Sequence, residues 1–574
     1  MRAQTQLHVT LRQLAELAEI RGASGDASDL LEAAAAIEAL GPDGAERLGQ
    51  LVRRNRLSDI PKLHPRIHAR VRELVRSNTD AVAAAMRDVP ELIAALLDLG
   101  VLTSTDALVL VRDLDVATIA DLEIATDDGR LEEKMGTAIA RRLEAATVVL
   151  RVQARPMILG RAFDALEAIL PAIAESCPAL AEIIPAGDVR RCEPLVRGIV
   201  LMGRAADPSA AIDQVCAMKG TSAVLRRSAR RAILRYDRTE IDIHVATHED
   251  FGSVLVEQTG SREHLKLIRP RQNRAGARAD EHQHYAGIGL TFIPPELRQG
   301  SGEVEAASTG AIPSLITREQ IRGDLHMHST YSDGRETTAV MAETCHTLGY
   351  EYIAITDHSE RAAASRTLSV DQIGRQRQEI DRVRERFPRM TILHGIEVDI
   401  MPDGELDFSD AVLERFDIVL ASLHDSAGHG RARLTERCLR AIGHPLVNVI
   451  THPANQLVGA RGGYDLDFDA IYAAATETGT LLEIDGAPGH LDLDGEHARA
   501  AIAAGVTVVI DSDCHRADRL DRQMRMGVGT ARRGWVEPRH VLNARPLTEV
   551  LAFIARKRGK ADNMGPSSLC PRVP

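Results

Sequence analysis

Six short apolar runs in the second half of the chain each end in, or lead straight into, side chains of the kind that bind metals. The run 352–356 ends in Asp357-His358, and 391–393 leads through Gly395 to Glu397 and Asp399. Runs 418–423 and 447–451 end in His424-Asp425 and His452-Pro453. Leu481-Leu482 leads into Glu483-Ile484-Asp485, and 506–510 ends in Asp511-Ser512-Asp513-Cys514-His515. Continuous apolar runs of this length predict strands buried on both faces. Helical patterns over 371–386 and 467–476 lie between them, and strand–helix alternation predicts a parallel sheet. In a closed α/β barrel the chemistry gathers at the carboxyl ends of the strands, which is where these His, Asp and Glu residues fall.

The segment 323–334 adds His326-x-His328, two imidazoles on one side of an extended strand, and Asp333 on a Ser-Asp-Gly turn. One such pair is a weak sign, and coincidental polar strand caps would explain one or two of these sites; they do not explain the series. Mixed nitrogen and oxygen donors suit zinc, manganese or iron, and the residues do not choose among them. Phosphate-ester hydrolysis needs accelerations of up to ~10²¹. Paired ions about 3.5–4 Å apart reach such values by activating water near neutral pH and clamping the attacking and leaving oxygens. Gly-x-Ser-x-Gly is absent, and Cys514, flanked by candidate ligands, reads as a packing residue. The expectation is a metal-dependent phosphoesterase.

Residues 321–558, with every motif in order, resemble the PHP family, whose members are distorted (β/α)7 barrels with a trinuclear metal centre. The resemblance implies that His326, His328, Glu397 and Asp513 hold one ion. Glu397 would bridge to a second, completed by His424 and His452. Asp333, His358 and His515 would hold the third. It singles out Glu397, Asp513 and His515 as catalytic, and Asp357 and Asp511 as outer carboxylates that fix a histidine tautomer. His394, His444 and His490 are expected to be bystanders.

The first half is different in kind. Residues 1–150 look almost wholly helical, with examples at 31–40, 80–86 and 138–146, and 151–300 are mixed, with strands expected at 198–202 and 241–246. Ala186-Gly187-Asp188-Val189-Arg190-Arg191, Glu240-Ile241-Asp242-Ile243-His244-Val245, Thr259-Gly260-Ser261-Arg262 and Gly289-Leu290-Thr291-Phe292 follow one another. This region resembles a bacterial family X DNA polymerase, in which a helical DNA-binding region and an α+β nucleotidyltransferase palm precede a PHP barrel. The implied organisation is a helical DNA-binding-like domain at 1–85, helix-hairpin-helix or fingers-like residues at 86–150, and palm and thumb at 151–305. A linker at 306–320, the PHP barrel at 321–558 and a flexible tail at 559–574 complete it.

The palm departs from the family pattern. The positions of two metal-binding aspartates fall on Gly198 and Val200, and the triphosphate-binding serine becomes Asp188. Asp242 survives, but one carboxylate does not hold two divalent ions against phosphate. The family's aromatic pair is Glu257-Gln258, and its asparagine is Leu265. The hairpin turns, Gly100-Val101-Leu102-Thr103 and Lys134-Met135-Gly136, keep one glycine each, so close approach of backbone N–H groups to phosphate is hindered.

A net charge of −12 over 574 residues excludes a chain that is basic throughout. Local runs stand out: Arg190 and Arg191, then Arg226, Arg227, Arg230 and Arg231, and later Lys266, Arg269, Arg271, Arg274 and Arg278. They read either as solvated faces or as contacts to a DNA backbone. Seven unpaired-looking cysteines, no leader and no long apolar span predict a cytoplasmic protein with no membrane contact. The leading expectation is a nuclease acting on DNA, as a 3′–5′ exonuclease or abasic-site endonuclease in repair, with a palm inactive in synthesis. A small-molecule phosphomonoesterase, a gap-filling polymerase and a non-enzymatic DNA-binding or scaffold protein remain as alternatives.

Overall fold

The computed structural model describes residues 2–41, 44–76, 81–153, 156–272, 276–362 and 364–559. The expected flexible tail from residue 560 onward, and Arg274, lie outside the described residues.

Helices from Arg2–Ile20 to Thr137–Gln153 make up the first part. They enclose two apolar clusters, one around Leu11, Leu14, Ile37 and Val71 and one around Ile93, Leu110, Leu122 and Leu143. Thr103 and Thr118 cap their helices reciprocally with Asp106 and Asp121, which satisfies N–H groups that have no intrahelical partner. Gly100 and Gly136 adopt left-handed backbone at the two hairpin turns. Lys134 and Met135, expected in the second turn, are the last residues of the helix Arg130–Met135.

The middle of the chain holds β1 (Met157–Ile158), β2 (Glu182–Pro185), β3 (Leu195–Val196), β4 (Ile199–Arg204), β5 (Thr221–Arg227), β6 (Arg231–Tyr236) and β7 (Thr239–Ala246). β1 pairs with β3, and the others form one sheet in the order β2-β4-β7-β6-β5, parallel only between β4 and β7. The alternating apolar side chains Leu201, Leu234, Ile243 and Val245 pack against Leu166, Ile169 and Ile173 of the helix Leu159–Ser176. Both expected strands are present, extended to 199–204 and 239–246. Their register sets Val200 beside Asp242.

Seven parallel strands follow: β8 (Gly323–Asp324), β9 (Tyr352–Ile355), β10 (Thr391–Asp399), β11 (Ile418–Ser422), β12 (Val449–Thr451), β13 (Leu481–Asp485) and β14 (Val508–Asp511). They lie side by side in chain order. Tyr352, Ala354, Leu393, Leu420 and Val509 fill the interior, while their neighbours Ile353, Ile355 and Ile392 face the surrounding helices. Both faces are therefore buried, which is why the runs do not alternate with polar residues. The C-terminal helix Leu547–Lys557 sends Val550 and Ile554 into the interior cluster, and its Lys557 ammonium bonds Thr480 at the foot of β13. That plugs the amino end of the barrel and leaves the carboxyl end for the site.

The seam between β8 and β14 is closed by side chains. Asp511 Oδ1 accepts the Leu325 N–H at 2.7 Å, and Asp324 Oδ1 accepts the Ser512 N–H at 3.1 Å. Buried Asn543 donates to the carbonyls of Gly323 and Ile510 and accepts the Ile510 N–H. The expected linker 306–320 is not a free tether: it begins inside the helix Glu303–Thr309 and then lies against the barrel. Ile316 is buried with its N–H on the Val536 carbonyl, and Arg318 pairs with Asp521 over the Tyr350 ring. Apolar Leu315 and Ile316 inside a polar stretch make it a strap. Among the described residues, no helix is long and apolar enough to cross a membrane.

Candidate metal centre

The nine residues expected as ligands converge at the carboxyl end of the barrel. His326 and His328 follow the two-residue β8, so that their Nε2 atoms stand 3.1 Å apart. Glu397 lies in β10 and is fully buried. Its Oε2 is 2.7 Å from His358 Nδ1, 3.5 Å from His326 Nε2 and 3.6 Å from His328 Nε2. Its Oε1 is 3.3 Å from His424 Nε2 and 3.1 Å from His452 Nε2. Asp513 Oδ1 lies 3.0 Å from His328 Nε2 and 3.5 Å from His326 Nε2. Asp333 Oδ1 lies 3.1 Å from His515 Nε2 and 3.5 Å from His358 Nε2. Gly334 shapes the turn that carries Asp333, because a Cβ there would fall 2.5 Å from the His328 carbonyl oxygen. His452 and Asp513 are held at φ of 26° and 46°, backbone that non-glycine residues adopt at a cost of ~1–3 kcal/mol and that clusters at functional sites.

These donors fit divalent cations. Glu397 Oε2, Asp333 Oδ1 and His358 Nδ1 are buried without a hydrogen-bond partner although ligand atoms crowd around them. Three imidazoles are oriented from behind. Glu483 Oε1 lies 2.7 Å from His326 Nδ1, Asp399 Oδ1 lies 2.8 Å from His424 Nδ1, and the Asp513 carbonyl lies 3.0 Å from His515 Nδ1. Each acceptor places the proton on Nδ1 and turns the Nε2 lone pair toward the centre, the arrangement usual for metal-binding histidines.

Electrostatics follows from this packing. Burial and the neighbouring His515 and His358 pull His328 down to about 3. For His515, burial is outweighed by the Asp333 carboxylate 3.1 Å away and by the Asp513 charge, which lift it to about 9. For Asp333, burial is likewise outweighed by His515 and His358, which lower it to about 2. Burial alone would raise Glu397, but the surrounding histidines hold it well below the usual carboxylate range.

Two expectations about outer carboxylates need correction. Among the described residues Asp357 bonds no histidine side chain: it accepts bonds from the N–H and hydroxyl groups of Ser329 and Ser332 and from Gln376 Nε2, and so shapes the turn between His328 and Asp333. Asp511 closes the barrel seam instead. The orienting carboxylates are Glu483 and Asp399. Both are strand residues in the sequence pattern, but their angular position around the barrel is set by tertiary packing. His394 is structural, bonded to Gln376, and His444 lies at the surface beside Asp410. His490 is no remote bystander: its ring stacks on His452 with centroids 5.1 Å apart.

The palm is organised around ion pairs. Arg231 is buried and grips Asp242 with two bonds, Nε–Oδ1 at 2.9 Å and Nη2–Oδ2 at 2.6 Å, while reaching Asp121 of the helical region at 2.7 Å. Asp188 is bound by Arg191 at 2.5 Å and by the Arg197 N–H. Gly198 lies just before β4, and Val200 offers only a methyl group where Asp242 would need a second carboxylate. The expected phosphate-contact arginines are engaged within the protein. Arg190 pairs with Glu281, Arg226 with Asp115, Arg227 with Asp213 and Arg230 with Asp250. Arg191, Arg226 and Arg231 are buried as well. A positive run in sequence is thus not a free positive track in space, because some of its acidic partners come from segments more than 100 residues away.

Comparison with known proteins agrees with this architecture. The family model described as "PHP domain" matches residues 324–458. The chain is 37% identical over 391 residues to the "DNA polymerase/3'-5' exonuclease PolX" of Bacillus subtilis (strain 168), covering 65% of this chain and 68% of that protein. It is 29% identical over 204 residues to a protein of Thermoanaerobacter sp. (strain X514) described as "Probable phosphatase", covering 33% of this chain and 78% of that one. Among solved structures, histidinol phosphate phosphatase from Lactococcus lactis, complexed with zinc, L-histidinol and phosphate, aligns with a TM-score of 0.30 and 16% identity over 38% of this chain and 95% of that one. The helical region, the five-stranded palm and the seven-stranded barrel thus occur together in a chain that belongs to the PolX-type family X DNA polymerases with a C-terminal PHP domain.

Proposed function

We propose that this chain hydrolyses phosphodiester bonds in DNA at the barrel site, as a 3′–5′ exonuclease or abasic-site endonuclease, and that its palm makes no DNA. The observation that carries this reading is a contrast between two sites. In the barrel, nine donors converge with unpartnered buried ligand atoms. In the palm, the one surviving carboxylate, Asp242, is saturated by the buried Arg231 guanidinium.

His326, His328, Glu397 and Asp513 would hold one ion, Glu397, His424 and His452 a second, and Asp333, His358 and His515 a third. Bound divalent ions would activate water near neutral pH and neutralise charge on the phosphate. The protein's part is to hold three of the imidazoles, those of His326, His424 and His515, in one tautomer through Glu483, Asp399 and the Asp513 carbonyl. A cleft of about 610 Å³ opens beside His424, lined by His429, Arg431, Arg461 and Tyr464. Arg461 lies over the Tyr464 ring, 4.9 Å from its centroid, which offers a flat cationic surface to a nucleotide. The relative from Bacillus subtilis, whose description includes 3'-5' exonuclease, supports DNA over a small phosphomonoester as substrate.

The test is incubation with 3′-recessed DNA in Mn²⁺, beside a small phosphomonoester under the same conditions. Shortening of the DNA supports the reading. Turnover of the monoester with intact DNA would replace it with a phosphomonoesterase.

A further inference from the structure

Among the described residues, four groups of side chains bring three or more ligand atoms within 4.8 Å of one another. Three of the groups use only the nine residues above. The fourth joins Asp513 to Asp485 and His490, which have no part in that set.

Asp485 is the last residue of β13 and is fully buried. Its Oδ1 accepts the Ala487 N–H at 2.5 Å, and its Oδ2 is buried without a partner. His490 Nδ1 lies 3.0 Å from the Gln456 carbonyl oxygen. A carbonyl only accepts, so Nδ1 carries the proton and Nε2 keeps a free lone pair. The loop that holds His490 is fixed against the palm. Pro488 lies so close to Gly160 that a Cβ there would fall 2.5 Å from it, and Leu491 is part of the palm's apolar cluster. The loop cannot shift away without undoing those contacts.

Two buried acidic side chains and an imidazole each bring one ligand atom within 4.8 Å of the others, and Asp485 Oδ2 has no hydrogen-bond partner. Ligands on opposite sides of one ion, each at ~2.0–2.2 Å, stand about 4.2 Å apart, so a spread of up to 4.8 Å closes with small side-chain rotations. The donor set of two carboxylates and one imidazole suits a borderline divalent transition ion.

We propose that Asp485, His490 and Asp513 form a fourth cation site, which shares Asp513 with His326 and His328 and takes Mn²⁺ or a similar divalent ion. It rests on the reading of the barrel site only through Asp513. Because its loop packs on the palm, the site ties the metal centre to the inactive half of the molecule.

The experiment is an Mn²⁺ titration of the full-length, chelator-stripped protein, with free Mn²⁺ read by its EPR signal. Wild type is compared with Asp485→Asn, His490→Ala and Glu397→Gln, with circular dichroism as the check on folding. Asn at 485 keeps an acceptor for the Ala487 N–H, and His490→Ala tests the same site from the other side. The expected result is one ion fewer per chain in each of Asp485→Asn and His490→Ala, and still only one fewer in the double variant. Wild-type stoichiometry in either folded single variant would overturn the proposal. Failure of the nine-ligand reading has a separate signature, wild-type stoichiometry in Glu397→Gln.

Discussion

Glu483 takes no part in the nine-ligand set, yet its two oxygens serve two ligands at once. Oε1 lies 2.7 Å from His326 Nδ1, and Oε2 accepts the backbone N–H of His452 at 2.8 Å. Glutamine has the same shape but one acceptor oxygen. In Glu483→Gln one of the two bonds must therefore become a donor–donor contact, whichever way the amide is turned. A hydrogen bond to a charged group contributes about 1.5–3 kcal/mol. Loss of an orienting partner costs about 10–100-fold in metal affinity, which is about 1.4–2.7 kcal/mol. The two figures agree, so the Mn²⁺ midpoint should move up by about 10–100-fold. The assay is DNA hydrolysis as a function of Mn²⁺, paired with direct Mn²⁺ binding. The rate at saturating Mn²⁺ should return to near wild type, since no reacting group has been removed. An unchanged midpoint, or a rate that saturating metal does not recover, would refute the reasoning.

Glu397→Gln removes a charge that faces five histidines, and hydrolysis should fall by more than about 10³-fold because several kcal/mol of charge stabilisation go with it; single-turnover cleavage of labelled DNA measures it. Asp242→Ala should leave hydrolysis unchanged while lowering stability by about 3 kcal/mol, at the low end for a broken buried pair because Arg231 keeps Asp121; activity and urea unfolding report the two effects. The same clamp predicts a pH dependence. Burial opposes ionisation of Asp242, but Arg231 and His244 outweigh it and hold its carboxyl below the usual range. Its contribution is therefore present above the unfolded pKa of about 3.9 and lost as pH falls through the lower folded value. The difference in Tm between the metal-free wild type and Asp242→Asn should be widest near neutrality and shrink below about pH 4.

The barrel, and the gathering of nine candidate ligands at its carboxyl end, were legible because two constraints coincide in the sequence. A strand buried on both faces must be apolar, so His424 or His452 at its end stands out against the run before it. The palm's departures were read against the family's motif, counted without gaps from Gly187. The structure sets Val200 beside Asp242 on neighbouring strands, a valine at the position the motif comparison had singled out. What the sequence did not reveal depends on angle and on remote partners. Asp511 and Glu483 are both acidic residues on barrel strands, yet one closes the seam and the other orients His326, because they point to different places around the ring. Arg226 and Arg231 read as a positive run until Asp115 and Asp121, more than 100 residues earlier, are folded against them. His490 looked incidental because its relation to Asp485 and Asp513 is made by a loop seated on another part of the molecule.

The barrel site is expected to hydrolyse DNA and the palm to make none. A paired assay in Mn²⁺ tests both directly: 3′-recessed DNA without nucleotides, and gapped DNA with all four deoxynucleotide triphosphates. The expected result is shortening of the first, lost in Glu397→Gln, and no extension on the second. Extension of the gapped primer would contradict the reading of Gly198, Val200 and Arg231, and intact 3′-recessed DNA in Mn²⁺, Zn²⁺ and Fe²⁺ alike would contradict the reading of the barrel.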